Sequence, residues 1–421
     1  MNDSDIIIIG AGASGLMAAK ELSHTGRKII VLEARSRAGG RIHTLHDGFV
    51  QAVESGAEFI HGNLPVTQQL LNKAGIDYTK TSGDMLRKIG GRWQETDEET
   101  EGWDELLQKM NELKGDITFM QFLNTYFKDE KYNELRQSAL QYAQGFDAAD
   151  PDEASTFSLR NEWQHEEEDN YHVNGGYQQL IDYLLSACSQ NNCHVVFNAA
   201  VTQIRWQKNE VNITTQTGET FSTKRVLVTV PVGVLQNKNL EAYIQFLPAL
   251  PQIEEAAGRI GYGNVIKILL QFSSLFWQEQ KDALFFFSDQ KIATWWSQRP
   301  SDYPMLTGWV AGKKAAEFEQ MNDNEILQNA LQSIANIFGK NLEEVKQSLT
   351  ASHIINWQKD KYAAGAYSYN KIGSEEAKKI LNTPIENTIF FGGEALYSGA
   401  SGGTVEAALA NGLDAAKKIM K

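Results

Sequence analysis

Asp5-Ile6-Ile7-Ile8-Ile9-Gly10-Ala11-Gly12-Ala13-Ser14-Gly15 is the stretch on which the reading of this chain turns. Four consecutive isoleucines predict a short strand buried on both faces, as in a parallel sheet. Gly10, Gly12 and Gly15 follow with G-x-G-x-x-G spacing, and an Ala/Leu/Met-rich helix begins at once. The first glycine permits the turn, the second lets a pyrophosphate approach the backbone, and the third lets the helix lie close on the strand. The helix start, with Ala13 and Ser14, then faces the phosphate charge. A second strand, Lys28-Ile-Ile-Val-Leu-Glu33, ends in an acid 18 residues after Gly15, which suits a carboxylate accepting from ribose hydroxyls. Strand, turn, helix and acid in this order predict a dinucleotide site without saying which dinucleotide.

Bulk properties narrow the classes. A chain of 421 residues with 42% hydrophobic content can bury a large core, and its length suggests two or three domains. The net charge of −14 opposes nucleic acid as a partner and would concentrate cations, protonated amines included. Cys188 and Cys193 flank Ser-Gln-Asn-Asn without zinc spacing, so no metal site is expected and a reducing compartment is. The N-terminal apolar run is the first strand rather than a signal peptide, and no stretch reaches the length of a membrane span. The expectation is a soluble, cytoplasmic protein with no membrane partner.

After Glu33 the chain continues Ala34-Arg35-Ser-Arg-Ala-Gly39-Gly40-Arg41, a glycine pair ending in a charge that can meet a diphosphate. Glu54-Ser-Gly56-Ala57-Glu58-Phe59-Ile60-His61-Gly62 is a glycine-flanked loop carrying an aromatic residue and a histidine. Together, Glu33–Arg41 and Gly56–Gly62 resemble the flavin-containing amine oxidase family, which includes monoamine oxidases, polyamine oxidases and flavin-dependent histone demethylases. The resemblance recurs at Val173-Asn-Gly-Gly176, at Gly261–Phe272 around Lys267, at Trp357–Ser368, and at Thr388–Ala395 with Gly402–Gly412. It is closest to the polyamine oxidase branch.

Read for themselves, the intervening segments are mostly structural. Residues 65–146 carry helical periodicity and little strand character, with Trp103, Leu106, Leu107 and Met110 on one face and Phe119, Phe122, Leu123 and Tyr126 on another. Glu166–Asp169 reads first as a solvated charged face, with attraction of a polyamine as the alternative. Residues 281–320 alternate aromatic and polar residues, as strands lining a cavity would, and 322–339 reads as a capped structural helix. Lys267 interrupts the apolar run Val265–Leu270, and burying it is costly without a partner. An edge position from which it snorkels is the local alternative.

The resemblance implies an α/β, two-domain FAD-dependent oxidoreductase. Its Rossmann-like, doubly wound FAD domain would be assembled from residues 1–75, 175–247 and 370–421. A substrate domain of mixed sheet plus helices would take 76–174 and 248–369. FAD would be held by Gly10, Gly12, Ala13, Ser14, Gly15, Glu33, Ala34, Arg35, Gly40, Arg41, Gly56, Ala57, Glu58, Phe59, Val201, Trp357, Gly393, Glu394, Gly403, Thr404 and Val405. The helix opening at Gly403 would face the flavin C2 carbonyl, and Val201 would meet the adenine end through its backbone. Lys267 would be the catalytic residue, holding a water beside flavin N5, with Tyr367 as an aromatic wall, Trp357 against the ring system and His61 in the substrate channel.

The implied reaction is oxidation of a small cationic amine to an imine, with molecular oxygen reduced to hydrogen peroxide. An amino acid oxidase or desaturase on the same scaffold, or a decayed flavoprotein that acts by binding, is the alternative. Ala366 stands where monoamine oxidases place the cysteine that bonds the flavin, so FAD is expected to be non-covalent. Ala400 falls where a second aromatic wall would be, so either the slot is open on one side or Tyr397 fills it from a different angle. The Gly56–Gly62 loop lacks the arginine that amino acid oxidases use, which favours a simple amine or polyamine. The match leaves no added module over, so a chromatin-bound demethylase is not expected.

Overall fold

The computed structural model describes residues 2–96, 100–167 and 169–421. Its first sheet has eight strands, and the strand Asn2–Ile9 lies near the middle of it. Ile6–Ile9 pair in parallel with Ile29–Leu32 on one side and with Arg225–Val228 on the other. Cys193–Val196 extends the parallel run beyond Ile29–Leu32. On the far side, the strand Thr220–Val228 pairs by its first half with the antiparallel strand Glu210–Thr215 and by its second half with the parallel strand Ile389–Phe391.

The four isoleucines divide between two cores. Ile6 and Ile8 join one hydrophobic cluster with Leu16, Leu180 and Leu409, while Ile7 and Ile9 join another with Ile204, Ile213 and Phe391. Strand side chains alternate between faces, so an unbroken apolar run requires apolar partners on both sides. Each isoleucine is at most 4% exposed, and such burial stabilises by roughly 1.5–3 kcal/mol per side chain. The helices Ala13–Ser23, Gln178–Ser189 and Val405–Met420 cover the first face.

The second sheet runs Leu349–Asn356, Val265–Phe272, Met305–Ala311, Thr294–Trp296, Ala283–Phe287, Asp84–Ile89, Arg92–Glu95. Its last two strands form a hairpin inside the segment whose periodicity reads as helical. The local signal was present in Ile89-Gly90-Gly91-Arg92, a glycine pair between two short runs. Polar and apolar residues mix on both flanks of that turn, which lies at the sheet's edge, so neither period stands out. The helix Asp323–Phe338 packs on this sheet through Ile326, Ala330, Leu331 and Ile334. Asn322 and Glu325 cap its start reciprocally and Gly339, at φ 63°, ends it.

The strand Val265–Phe272 is buried at all eight positions. Lys267 is therefore not at an edge: it lies between Ile355 and Trp309 on the two flanking strands. A small third sheet, Phe59–His61, Asn170–Val173 and Tyr78–Lys80, sets Phe59 opposite His172 and His61 opposite Asn170. Both cysteines are free, and no helix among the described residues is long and apolar enough to cross a membrane.

Candidate active site

One cavity of about 1400 Å³ is lined by residues from the three sheets described above. At one end lie the turn and helix start of the opening stretch. Gly10 has φ 106°, and a Cβ on Gly15 would sit 2.0 Å from the Gly10 carbonyl oxygen. The third glycine is thus not a cavity residue; it is what lets the helix approach the strand. Gly12 begins the helix without any side-chain cap, and the buried Ser14 hydroxyl has no partner. Unpaired N–H groups and a buried orphan hydroxyl at a helix start fit an anionic ligand.

Glu33 is held rigidly beside them, its two oxygens accepting from the Ala11 N–H at 2.8 Å and the Arg35 N–H at 2.9 Å. Arg35 in turn pairs with Asp360, which ties the 360–366 loop to the nucleotide end. Arg41 donates to the Ala366 carbonyl at 2.6 Å and to Glu394 Oε1 at 3.2 Å. Burial opposes the charge on Arg41, but Tyr262 and Glu394 raise its titration overall, so it stays a cation. The other oxygen of Glu394 is buried without a partner. Thr404 caps the helix Val405–Met420 by accepting from the Ala407 N–H at 3.2 Å.

Of the residues singled out for the cofactor, Gly15 is the one that does not line this cavity; Ala34, Gly40, Gly56, Ala57, Val201, Trp357, Gly393 and Gly403 do, alongside those just described.

At the other end, Lys267 Nζ sits 2.6 Å from Glu58 Oε2 and donates to the Gly56 carbonyl at 3.1 Å. The Trp296 indole donates to the second Glu58 oxygen at 3.0 Å. Burial would raise the Glu58 titration, but the Lys267 ammonium and His172 hold it below the usual carboxylate range. His61 Nδ1 lies 2.6 Å from Asn170 Oδ1, and burial moves its titration below that of an ordinary histidine despite this bond.

Tyr367, Phe146, Tyr142, Trp296 and Trp309 supply aromatic walls. The Tyr367 hydroxyl donates to the Phe146 carbonyl at 2.6 Å and the Trp309 indole to the Gly145 carbonyl at 2.7 Å, so one loop anchors both rings. That loop carries Asp147, whose Oδ2 accepts from the Trp163 indole at 3.0 Å. Burial and the neighbouring Glu162 push the Asp147 titration well up; burial raises Glu162 to about 7. Glu166, hydrogen-bonded to Tyr142, is raised by burial too. Asp147 and Glu162 were not legible in the sequence, where they belong to no motif. Glu166, Glu167 and Asp169 line the cavity as well, so the acidic run is more than a solvated face; Glu168 lies outside the described residues.

Comparison with known proteins decides the family. Residues 13–420 match the family model of flavin-containing amine oxidoreductases. The chain belongs to that family. This amine oxidoreductase is 27% identical to polyamine oxidase 4 of Oryza sativa subsp. japonica, over 99% of this chain and 88% of the relative. It is 29% identical to lysine-specific histone demethylase 2 of Homo sapiens over 94% of this chain, but spans only 51% of that protein. Its fold superposes on putrescine oxidase bound to putrescine with TM-score 0.83 at 21% identity, covering 99% of both chains. Cyclohexylamine oxidase from Brevibacterium oxydans IH-35A gives 0.82 at 19%, covering 99% of this chain and 98% of that one. The architecture is that of a two-domain α/β flavoenzyme, and FAD is the cofactor.

In this amine oxidoreductase Tyr397 does not reach the cavity, contrary to the role expected from the gap at Ala400. Its hydroxyl lies over Gly399, where a Cβ would come within 2.1 Å of it, because the loop folds back on itself. Tyr397→Ala is accordingly expected to leave kcat/KM within about twofold of the parent, as for other substitutions away from a site. A loss of tenfold or more in steady-state assays would contradict this placement.

Proposed function

We propose that this protein oxidises a small cationic amine, a diamine or polyamine by preference, to an imine, with oxygen reduced to hydrogen peroxide. Bound FAD would supply the acceptor for a hydride equivalent from the carbon beside the amine nitrogen, and the electrons would pass on to oxygen. The helix start at Gly12–Ser14 would hold the diphosphate, Glu33 a ribose, and the helix at Thr404 and Val405 the pyrimidine side of the ring system. Ala366, with no nucleophile, leaves that flavin unbonded to the chain.

The observation that carries the substrate class is the pairing of aromatic walls with buried acids in one cavity. Asp147, Glu162 and Glu166 crowd beside Tyr142 and Trp163. Crowded acids that resist ionisation when alone would ionise readily around a ligand ammonium, and the flat aromatic faces attract the same cation. His61, neutral at pH 7, is suited to accept a proton from the amine nitrogen, which must be neutral to be oxidised.

A panel of putrescine, spermidine, tyramine, benzylamine, L-amino acids and a methyl-lysine peptide, scored by peroxide release, tests this reading. Putrescine or spermidine is expected to give the highest kcat/KM. Their KM should fall from pH 6 to 8 as Glu162 ionises, since the raised carboxyl is neutral at the acid end. Denaturation should release free FAD into the supernatant. Peroxide from amino acids alone, or from none of the panel, would refute the substrate class; flavin that stays with the precipitated chain would refute non-covalent binding.

A further inference from the structure

We propose that Glu58 is a positioning residue: its carboxylate holds Lys267 as an ammonium and leaves one N–H donor free for the cavity. The inference rests on Lys267 acting beside the flavin, as the amine oxidase reading has it. Lys267 is 1% exposed, on a central strand, with a carboxylate oxygen 2.6 Å away and the Gly56 carbonyl at 3.1 Å. Nζ carries three N–H donors, of which the Gly56 carbonyl takes one and the Glu58 ion pair at most another, so at least one remains, and Lys267 lines the cavity. The carboxylate is fixed in turn, because the Trp296 indole donates to its other oxygen and the Trp296 ring lies 5.6 Å from Nζ.

The titratable groups facing the pair are Glu54 and His172; the flanking strands bring only Ile355 and Trp309 beside Lys267. Glu54 is raised by burial to about 7 and His172 is lowered by burial, but the ion pair that Lys267 makes is with Glu58, at 2.6 Å. Glu58 is what compensates the lysine. Without it the ammonium is buried and unpaired, the folded state favours neutral lysine, and the proton that the cavity-facing donor offers is lost.

The test compares the parent, Glu58→Gln, Glu58→Asp and the double variant Glu58→Gln/Lys267→Met, all as flavin-loaded full chains. A group whose charged form is disfavoured in the fold destabilises below its folded pKa, and the penalty vanishes above its unfolded one. The urea midpoint of Glu58→Gln should therefore rise between pH 7 and 10 relative to the parent, and the double variant should lose that slope. Chemically reduced Glu58→Gln, mixed with oxygen, should reoxidise at least about tenfold more slowly than the parent at pH 9 and recover towards pH 6. Glu58→Asp should keep much of the parent behaviour at both. Should Glu58→Gln fail to fold, rescue of folding by the added Lys267→Met supports the pairing, and equal failure of both refutes it. Stability slopes and reoxidation rates parallel to the parent's would also overturn it. Reduction with dithionite needs no amine, so silence across the amine panel leaves this test readable.

Discussion

Lys267→Met is expected to slow the reaction of the reduced holoenzyme with oxygen by about a hundredfold, the usual effect of removing one aimed polar donor from a closed site. Stopped-flow absorbance of the flavin reads this directly, and oxygen reactivity equal to the parent's would remove Lys267 from the chemistry. Flavin content should stay near that of the parent, because the residues proposed to hold the nucleotide are at the far end of the cavity. Stability should not stay the same. Lys267 and Glu58 have side chains 1% and 7% exposed, and removing the ammonium strands a buried carboxylate. Breaking such a pair costs about 3–5 kcal/mol.

The pH dependence of that loss has a definite sign. In the parent, Glu58 titrates below the ordinary carboxylate value, so its contribution is present above that value and lost as pH falls through the folded one. In Lys267→Met the ammonium no longer opposes the effect of burial, and the carboxyl prefers its neutral form. The variant should therefore approach the parent at acid pH and fall furthest behind it near neutrality. Urea midpoints at pH 4 and pH 7 measure the difference, and a gap that does not widen with pH would contradict the pairing.

Gly15→Ala is expected to abolish flavin loading altogether. The added methyl would sit 2.0 Å from the Gly10 carbonyl oxygen and 2.8 Å from the Thr229 hydroxyl, so the helix has to leave the strand. Backbone atoms cannot yield as a flexible side chain does, and overpacking of this kind costs about 1–3 kcal/mol or more. The displaced helix carries the unpaired N–H groups and Ser14 with it, so the diphosphate site is lost even where the chain still folds. The purified variant should be colourless, with flavin affinity down by at least about a hundredfold, a loss of roughly 2.7 kcal/mol. A yellow Gly15→Ala protein with parent affinity would show that the close approach is not required.

The two variants differ in how far their effects could be foreseen. Gly15 is legible because its role is local: strand, turn and helix are contiguous, and their geometry permits only glycine. The isoleucine run is legible for the same reason, since alternation forces both faces of that strand to be apolar-covered whatever the partners are. The resemblance extended this reading to positions far along the chain, such as Val201, Gly393 and Thr404, which line the same cavity as Gly12.

Other features depended on which segments meet. The hairpin Asp84–Glu95 sits at a sheet edge, where neither burial nor periodicity marks it. Asp147 belongs to no motif, and its titration is raised by burial and by Glu162, on a helix fifteen residues away in sequence. Tyr397 had the right side chain and the right neighbourhood in sequence, but its loop turns the ring onto Gly399.

By itself, then, the sequence determined the nucleotide end of this protein, because a diphosphate is bound by backbone geometry that consecutive residues set among themselves. Lys267 shows the limit of that reading: in sequence its burial and its snorkelling were equal alternatives. The tertiary structure settled it by bringing Glu58, 209 residues earlier, within 2.6 Å. Charge pairing in a low-dielectric interior acts through space, and only the assembled fold says which charges share that space.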